Sequence, residues 1–339
     1  MPGNRGKGSN PIRVAMVRCD IHAYFFAALM TRSDPHQLHR NCSLVHRLLT
    51  DPEHPEQIHT DPVPGFRIVN AWDPDTVQAQ HLSETFGGNT TVCRKVEDAV
   101  DGADAAFISC CSLDGSDHLR LCQPFLKAGL PVFIDKPLAS TTRDARAIVR
   151  LAETHGAALM SASMLHHADE IQFQRRRQKE LAQLGLAIVH GTHGWETEGG
   201  LEGVTHGIAM ALSVYGHGVD WVESMGELSR EFILLHYPDG GKVLVLNMDQ
   251  RYRPAAFTTH AWGYQEHCHT GGQTHVTSGP VGEAQFPAAG TQLIRKFRRM
   301  VRTGKPPAPY AELLEWVKIS EAAKKAHETG KRVRLTPSS

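Results

Sequence analysis

The sequence predicts an α/β protein in two parts: a parallel sheet covered by helices on both faces, then an α+β half built on a large, mostly antiparallel open sheet. Two observations carry this. From Ile12 to about Ser161, short β-branched runs alternate with amphipathic stretches, the order of repeated βαβ units. Beyond Ser161 the strands alternate polar and apolar residues, as in "LAIVHGTHGW", "EFILLHY" and "KVLVLNM", which suits a sheet with one covered face. The length agrees, since 339 residues exceed one ordinary core and fit two domains of roughly 150 residues each.

Strands are expected at Ile12–Val17, Phe66–Trp72, Ala105–Ser109, Pro131–Ile134 and Ala157–Ser161. A helix should follow the first strand, and others should begin near Asp75, Ser116 and Thr141; the last two end in "AG" and "HG", as helix C-termini often do. Some thirty-five residues, 31–65, separate the first helix from the second strand. Connections this long are usually functional or disordered, and "DPHQLHRNCSLVHRLL" within this one has the pattern of a helix, suited to a lid or an oligomer contact. The chain closes with "AELLEWVKISEAAKKAHETGKRVRL", an amphipathic helix stopped by Gly330 and followed by a short strand. The expected organisation is a polar, Gly-rich tail over 1–10, a first domain over 11–160 with the insertion 31–65, and a second domain over 161–339.

Composition excludes several classes. Lys+Arg 36 against Asp+Glu 36 leaves no basic excess to hold a nucleic-acid backbone. No apolar run approaches the roughly 18 residues that cross a bilayer, and the tail lacks the apolar segment of a secretory signal. Seven cysteines without CxxC spacing argue against a disulfide framework and a structural zinc, so a reducing cytoplasm is the expected setting.

Chemistry first becomes specific at "GLPVFIDKPLAS", Gly129 to Ser140: a strand, then Asp-Lys-Pro, then a helix start. Ligands of open parallel sheets sit outside the carboxyl ends of the strands, and Lys136 stands at such an end. An ammonium there, beside a bound nicotinamide, can hydrogen-bond a substrate hydroxyl and steady the charge that grows on oxygen as hydride leaves. The motif resembles the strand-end Glu-Lys-Pro of the glucose-fructose oxidoreductase / inositol dehydrogenase family. "DHLRLCQPFLKAG" upstream, and "RDARAIVRLAETHGAALM" and "ISEAAKKAHETGKRVRL" downstream, extend the resemblance over nearly the whole chain. It implies a Rossmann-like dinucleotide-binding domain over 11–160 and a substrate and oligomerisation domain over 161–339.

The same resemblance places Glu202 and His206, in "GGLEGVTHGIAMALSVYGHGVDWV", on the family's Asp-x-Gly-x-His motif. At i, i+4 they share one helical face, so the carboxylate can orient the imidazole or bind substrate beside it. Histidine titrates near neutral pH and suits a proton acceptor for a sugar or polyol hydroxyl. Plain packing of His206, and a plain helix-entry carboxylate at Glu202, remain open alternatives.

The first strand-turn-helix departs from the family. "MVRCDIHAYFF" puts Arg18, Asp20 and Ala23 on the positions of Gly-x-Gly-x-x-Gly/Ala, and only the last is intact. A side chain at either lost glycine costs contact distance or backbone strain. Asp20 also sets a like charge against a phosphate, worth very roughly 1 to 4 kcal/mol at about 4 Å. Arg18 is expected to offset this by reaching a phosphate oxygen or pairing with Asp20, with the helix N-terminal amides still open to an anion. Asp73 stands where a ribose-binding acid belongs, and no Arg or Lys follows it, which favours NAD over NADP. The expected NAD site, weakened and atypical, comprises Arg18, Asp20, Ile21, His22, Asp73, Cys110, Asp114, His118 and Asp135.

Elsewhere, His260, His267, His269 and His275 gather near Cys268, but no acid-histidine grouping completes a metal set, so no metal is expected. His166 and His167 follow the last strand of the first sheet and are candidates for substrate contact or packing. Cys110 and Cys111 read as buried small hydrophobes bordering the cofactor cleft. The expectation is an NAD-dependent oxidoreductase acting on a secondary hydroxyl of a sugar, polyol or glycoside, assembled as a homodimer or homotetramer. A redox-neutral lyase, epimerase or glycosidase on the same scaffold is the alternative, kept open by the altered turn. A binding protein without chemistry is a third, opposed by Lys136 and His206.

Overall fold

The computed structural model describes residues 10–110, 114–181, 183–190, 202–227, 230–248, 257–264 and 273–335. β1 (Ile12–Val17) runs directly into α1 (Ile21–Ala28). The insertion forms α2 (Pro35–Asn41), α3 (Ser43–Leu49) and a hairpin of β2 (Thr50–Asp51) and β3 (His54–Ile58). The single helix expected there is therefore two. Asp34 caps the first by accepting from the amides of His36 and Gln37, and Cys42, with φ −153° and ψ 74°, breaks the helical path between them.

The chain continues through β4 (Phe66–Trp72), α4 (Thr76–Thr85), β5 (Thr91–Val92), β6 (Ala105–Ile108), α5 (His118–Lys127), β7 (Val132–Ile134), α6 (Thr142–Thr154) and β8 (Leu159–Met160). These strands form a six-stranded parallel sheet in the order β5-β4-β1-β6-β7-β8. Asp75 and Thr141 cap α4 and α6, accepting from the amides of Val77 at 3.0 Å and Asp144 at 3.1 Å.

The second half contains α7 (Asp169–Gln178), β9 (Gln183–His190), α8 (Glu202–Tyr215), β10 (Trp221–Glu227), β11 (Arg230–His236), β12 (Lys242–Met248), β13 (Thr259–Tyr264), β14 (Gln273–Thr277), α9 (Phe286–Thr303), α10 (Tyr310–Thr329) and β15 (Val333–Arg334). Its seven-stranded sheet has the order β14-β13-β9-β12-β11-β10-β15, antiparallel except where β12 meets β9.

Packing ties the two halves together. Met16, Phe107 and Phe133 on one face of the parallel sheet pack with Phe25 and Phe26 of α1, and also with Leu293, Ile294 and Phe297 of α9, which comes from the far end of the chain. Gly290 permits this crossing: a Cβ there would meet Leu29 Cδ1 at 2.6 Å and Phe25 Cε1 at 2.7 Å. The opposite face, with Ala15, Val17 and Ile108, is covered by α5 and α6 through Phe125 and Ile148. One face of the second sheet buries Val189, Ile233, Leu235, Val243 and Val245 against Ile208 and Leu212 of α8 and Trp316 and Ile319 of α10. The other face presents Leu186, Phe232 and Trp262, each 40–42 % exposed.

Candidate active site

At the end of β1, Arg18 has φ 66°, the only non-glycine in the left-handed region among the described residues, and donates its amide to the Trp72 carbonyl at 2.8 Å. This is glycine's conformation held by a side chain, the strain expected from the lost first glycine. The guanidinium pairs with Asp117, a partner other than the phosphate oxygen or Asp20 that the sequence suggested. The turn carries Arg18 toward the start of α5, across the neighbouring β1–β6 pair, and so away from its own helix.

Asp20 caps α1, accepting from the Ala23 amide at 3.1 Å. One first-turn donor of the helix is thus taken by the protein's own carboxylate. Ile21, at 40 % exposure, follows it on the surface. Asp73 accepts from the Cys19 amide at 2.8 Å through one oxygen and from the Asp75 amide at 2.9 Å through the other. Burial pushes its carboxyl up, opposed by these hydrogen bonds. The acid expected to meet a ribose thus also fixes the turn between β1 and α1.

Beyond β7, Asp135 and Lys136 are both 1 % exposed. Asp135 accepts from its neighbour's amide, Lys136 N, at 2.8 Å and from the Cys110 amide at 3.1 Å, and it lies 2.5 Å from His22 Nδ1. Burial alone would raise the Asp135 carboxyl; the adjoining His22 and Lys136 more than offset it and hold it below the usual carboxylate range. Asp135 and His22, both expected at the cofactor, therefore form one pair that ties α1 to the strand end carrying Lys136. Gly115 packs beneath the same motif with φ 76°, where a Cβ would sit 2.9 Å from the Pro137 carbonyl oxygen. Asp114 accepts from the Ser116 amide at 2.9 Å. His118 is buried with Nδ1 3.2 Å from the Leu138 carbonyl oxygen, and that burial lowers its pKa. Cys110 is buried, as expected, and Cys111 lies outside the described residues.

β7 and β8 are hydrogen-bonded neighbours, with Phe133 paired to Met160. Lys136 lies two residues past the end of β7, and Ser163 lies three residues past the end of β8 on the same carboxyl edge. Ser163 Oγ is 2.9 Å from His206 Nδ1 on α8 and accepts from the Leu165 amide at 3.2 Å. The two expected catalytic side chains are thus delivered to adjacent strand ends, His206 through a serine that the sequence reading did not single out. Glu202 opens α8, consistent with a shared helical face, but its side chain lies outside the described residues.

His166 and His167, in the turn that follows Ser163, line a cavity at the end of β8. His260 and His275 stack at 5.8 Å, while His267, Cys268 and His269 lie outside the described residues. Among the described residues no group of three or more His, Cys, Asp or Glu is placed to hold a metal, and no helix is long and apolar enough to cross a membrane.

The parallel sheet, the turn at its centre and the polar groups along its carboxyl edge define a Rossmann-type α/β protein joined to a mixed-sheet half. Residues 51–163 match the family described as an oxidoreductase family with an NAD-binding Rossmann fold, so the resemblance read from the Asp-Lys-Pro motif is borne out. The matched segment includes that motif and begins after the altered turn. Among solved structures, a myo-inositol 2-dehydrogenase from Lactobacillus plantarum shares 16 % identity with TM-score 0.70, covering 96 % of this chain and 100 % of its own. A scyllo-inositol dehydrogenase from Lactobacillus casei shares 14 % with TM-score 0.73, covering 96 % and 98 %. GenD2 from gentamicin A biosynthesis, solved in complex with NAD, shares 15 % with TM-score 0.71, covering 99 % and 100 %. At these identities the likeness is one of fold. No curated protein matches the chain by sequence.

Proposed function

We propose that this chain is an NAD-dependent oxidoreductase that moves hydride to or from a secondary hydroxyl of a sugar, polyol or glycoside. The supporting observation is the buried Lys136 at the end of β7, beside the strand end whose Ser163 holds His206. Asp73, the N-terminal turn of α1 with Ile21, and the Asp114 loop are the groups that would hold NAD, which supplies the hydride acceptor when bound. Lys136 hydrogen-bonds the substrate oxygen and steadies the charge developing there; its enclosure in protein strengthens that field relative to water. Ser163, at 2.9 Å from Nδ1, orients the His206 ring, and the imidazole takes the hydroxyl proton. Glu202 positions His206 or the substrate. The inositol dehydrogenases among the structural neighbours agree with a polyol-like substrate.

The test is NADH formation over a panel of cyclic polyols and sugars, with Lys136→Ala beside the unmodified protein. Turnover should fall at least about a hundredfold in a variant that keeps its circular dichroism, the scale of groups aimed at developing charge. Undiminished turnover in folded Lys136→Ala removes the lysine from the chemistry. A second reading, a redox-neutral lyase, epimerase or glycosidase, is favoured by one observation: Arg18 and Asp20 fill the pyrophosphate turn with the protein's own paired cation and carboxylate. Substrate conversion without net NADH selects it.

A further inference from the structure

A cavity of about 530 Å³ is bounded by the end of β8, α7, the C-terminal half of α8, α9 and the start of α10, and neither Lys136 nor His206 lines it. Its nearest α8 residue, Leu212, is six positions beyond His206, about 9 Å along the helix axis. The volume is in the usual range for small-molecule sites, and Leu212, Val214, Pro309 and Trp316 give it an apolar wall.

Its polar lining is unbalanced. Arg175 and Lys179, one turn apart around the C-terminus of α7, face it together with Lys296 of α9, and none of the three has an ion-pair partner among the described residues. The one carboxylate in the wall among the described residues, Glu312, is 3.5 Å from His217 Nε2 and so has a partner of its own. Two further wall atoms are buried with no hydrogen-bond partner: Ser161 Oγ, in a residue 5 % exposed, and His167 Nε2, in one 9 % exposed. Each can donate a hydrogen bond, and unpaired buried donors are rare because each forfeits its hydration. Desolvation and the neighbouring Arg175 both lower the Lys296 pKa, the mark of cations crowded without a counter-charge.

We propose that this cavity binds a small phosphorylated metabolite, its phosphate taken by Arg175, Lys179 and Lys296 with Ser161 and His167 donating from the floor, and its body set against Trp316 and Leu212. A phosphate monoester answers each feature: its charge meets the three cations, its oxygens accept from the two orphaned donors, and the volume beyond a bare phosphate takes an organic group. Because the wall joins the end of the first sheet to α7–α10, a ligand there stabilises the packing of the two halves.

The experiment is thermal unfolding and calorimetry on the full chain without NAD, at constant ionic strength, with inorganic phosphate, glycerol phosphate and chloride. Both phosphate compounds should raise the melting temperature where chloride does not, since binding to the folded state alone stabilises it by mass action. Arg175→Met with Lys296→Met should weaken that binding at least tenfold. Both residues are exposed, so the variant is expected to fold; Ser161→Ala, which removes only a donor, gives a second and smaller loss. Tighter glycerol phosphate than inorganic phosphate supports the metabolite, and equal affinity supports the free ion at the same site. A phosphate effect no larger than that of chloride, or one unchanged in both variants, overturns the proposal. No arm uses NAD, Lys136 or His206, so failure here is distinct from failure of the oxidoreductase assignment.

Discussion

Arg18 holds a backbone conformation that costs a non-glycine residue on the order of 1–3 kcal/mol, and its guanidinium is committed to Asp117. Asp20, two residues on, occupies the Ala23 amide. Together they place a neutralised cation and an anion where a dinucleotide-binding turn normally offers bare backbone. Replacing both, Arg18→Gly with Asp20→Gly, relieves the strain, frees the amide and removes the like charge, so calorimetry should show NAD binding at least about fivefold tighter, from the like-charge cost alone. Weaker binding in the double variant would show instead that the two residues are cofactor ligands. The altered turn was legible in sequence because strand and helix fix each residue's place in it. Asp117 was not, being ninety-nine residues from Arg18 and brought near only by the β1–β6 pairing. Ser163 carried no signal either: its part depends on which α8 residue the second half lays beside β8.

Elements whose apolar spacing is set locally were readable to within a few residues: β1 and β4 fall on Ile12–Val17 and Phe66–Trp72 as expected, and Asp75 and Thr141 stand as caps at the expected helix starts. The insertion was not, since one apolar stripe does not reveal the break at Cys42. Nor was the return of α9 to the first sheet, which depends on Gly290 letting the helix close on Phe25 and Leu29. Gly290→Ala should destabilise the fold by about 1–3 kcal/mol, as overpacking of a filled core does, measured by urea unfolding. A loss-free Ala variant would mean that α1 yields at that contact.

The helical turn Met164–His167 makes a pH prediction. Burial lowers both histidines, His166 to about 4, with repulsion from Lys296 adding to the effect. Ordinary histidine titrates near 6.5, so between about 6.5 and 4 the unfolded chain binds protons that the folded chain refuses. Stability should fall as pH drops through that window, and His166→Asn with His167→Asn should flatten the fall in melting temperature between pH 7 and 5. An equal slope in both proteins would place the acid sensitivity elsewhere.

At the scale of the molecule, what stands out is the bare face of the second sheet. Register aligns Leu186 with Trp262, and Phe232 with Met225 and Leu246, so exposed apolar side chains of β13, β9, β11 and β10 share this face, with the half-buried Leu244 and Leu246 of β12 between them. Among the described residues helices cover the opposite face, where α8 and α10 already bury Ile233, Leu235, Val243 and Val245. Scattered exposed apolar residues are ordinary, but a patch joined across a sheet marks an interface, and a second copy of the same sheet matches it in extent and polarity. The alternation in "EFILLHY" and "KVLVLNM" foretold this, because apolar residues continue on both faces where one helical layer needs only one. The protein should therefore sediment as a homodimer or homotetramer at micromolar concentration. Phe232→Glu with Leu186→Glu, charging the face without touching the buried side, should shift it to monomer while NAD binding persists. A monomeric unmodified protein would leave the sheet uncovered and end the assembly proposal.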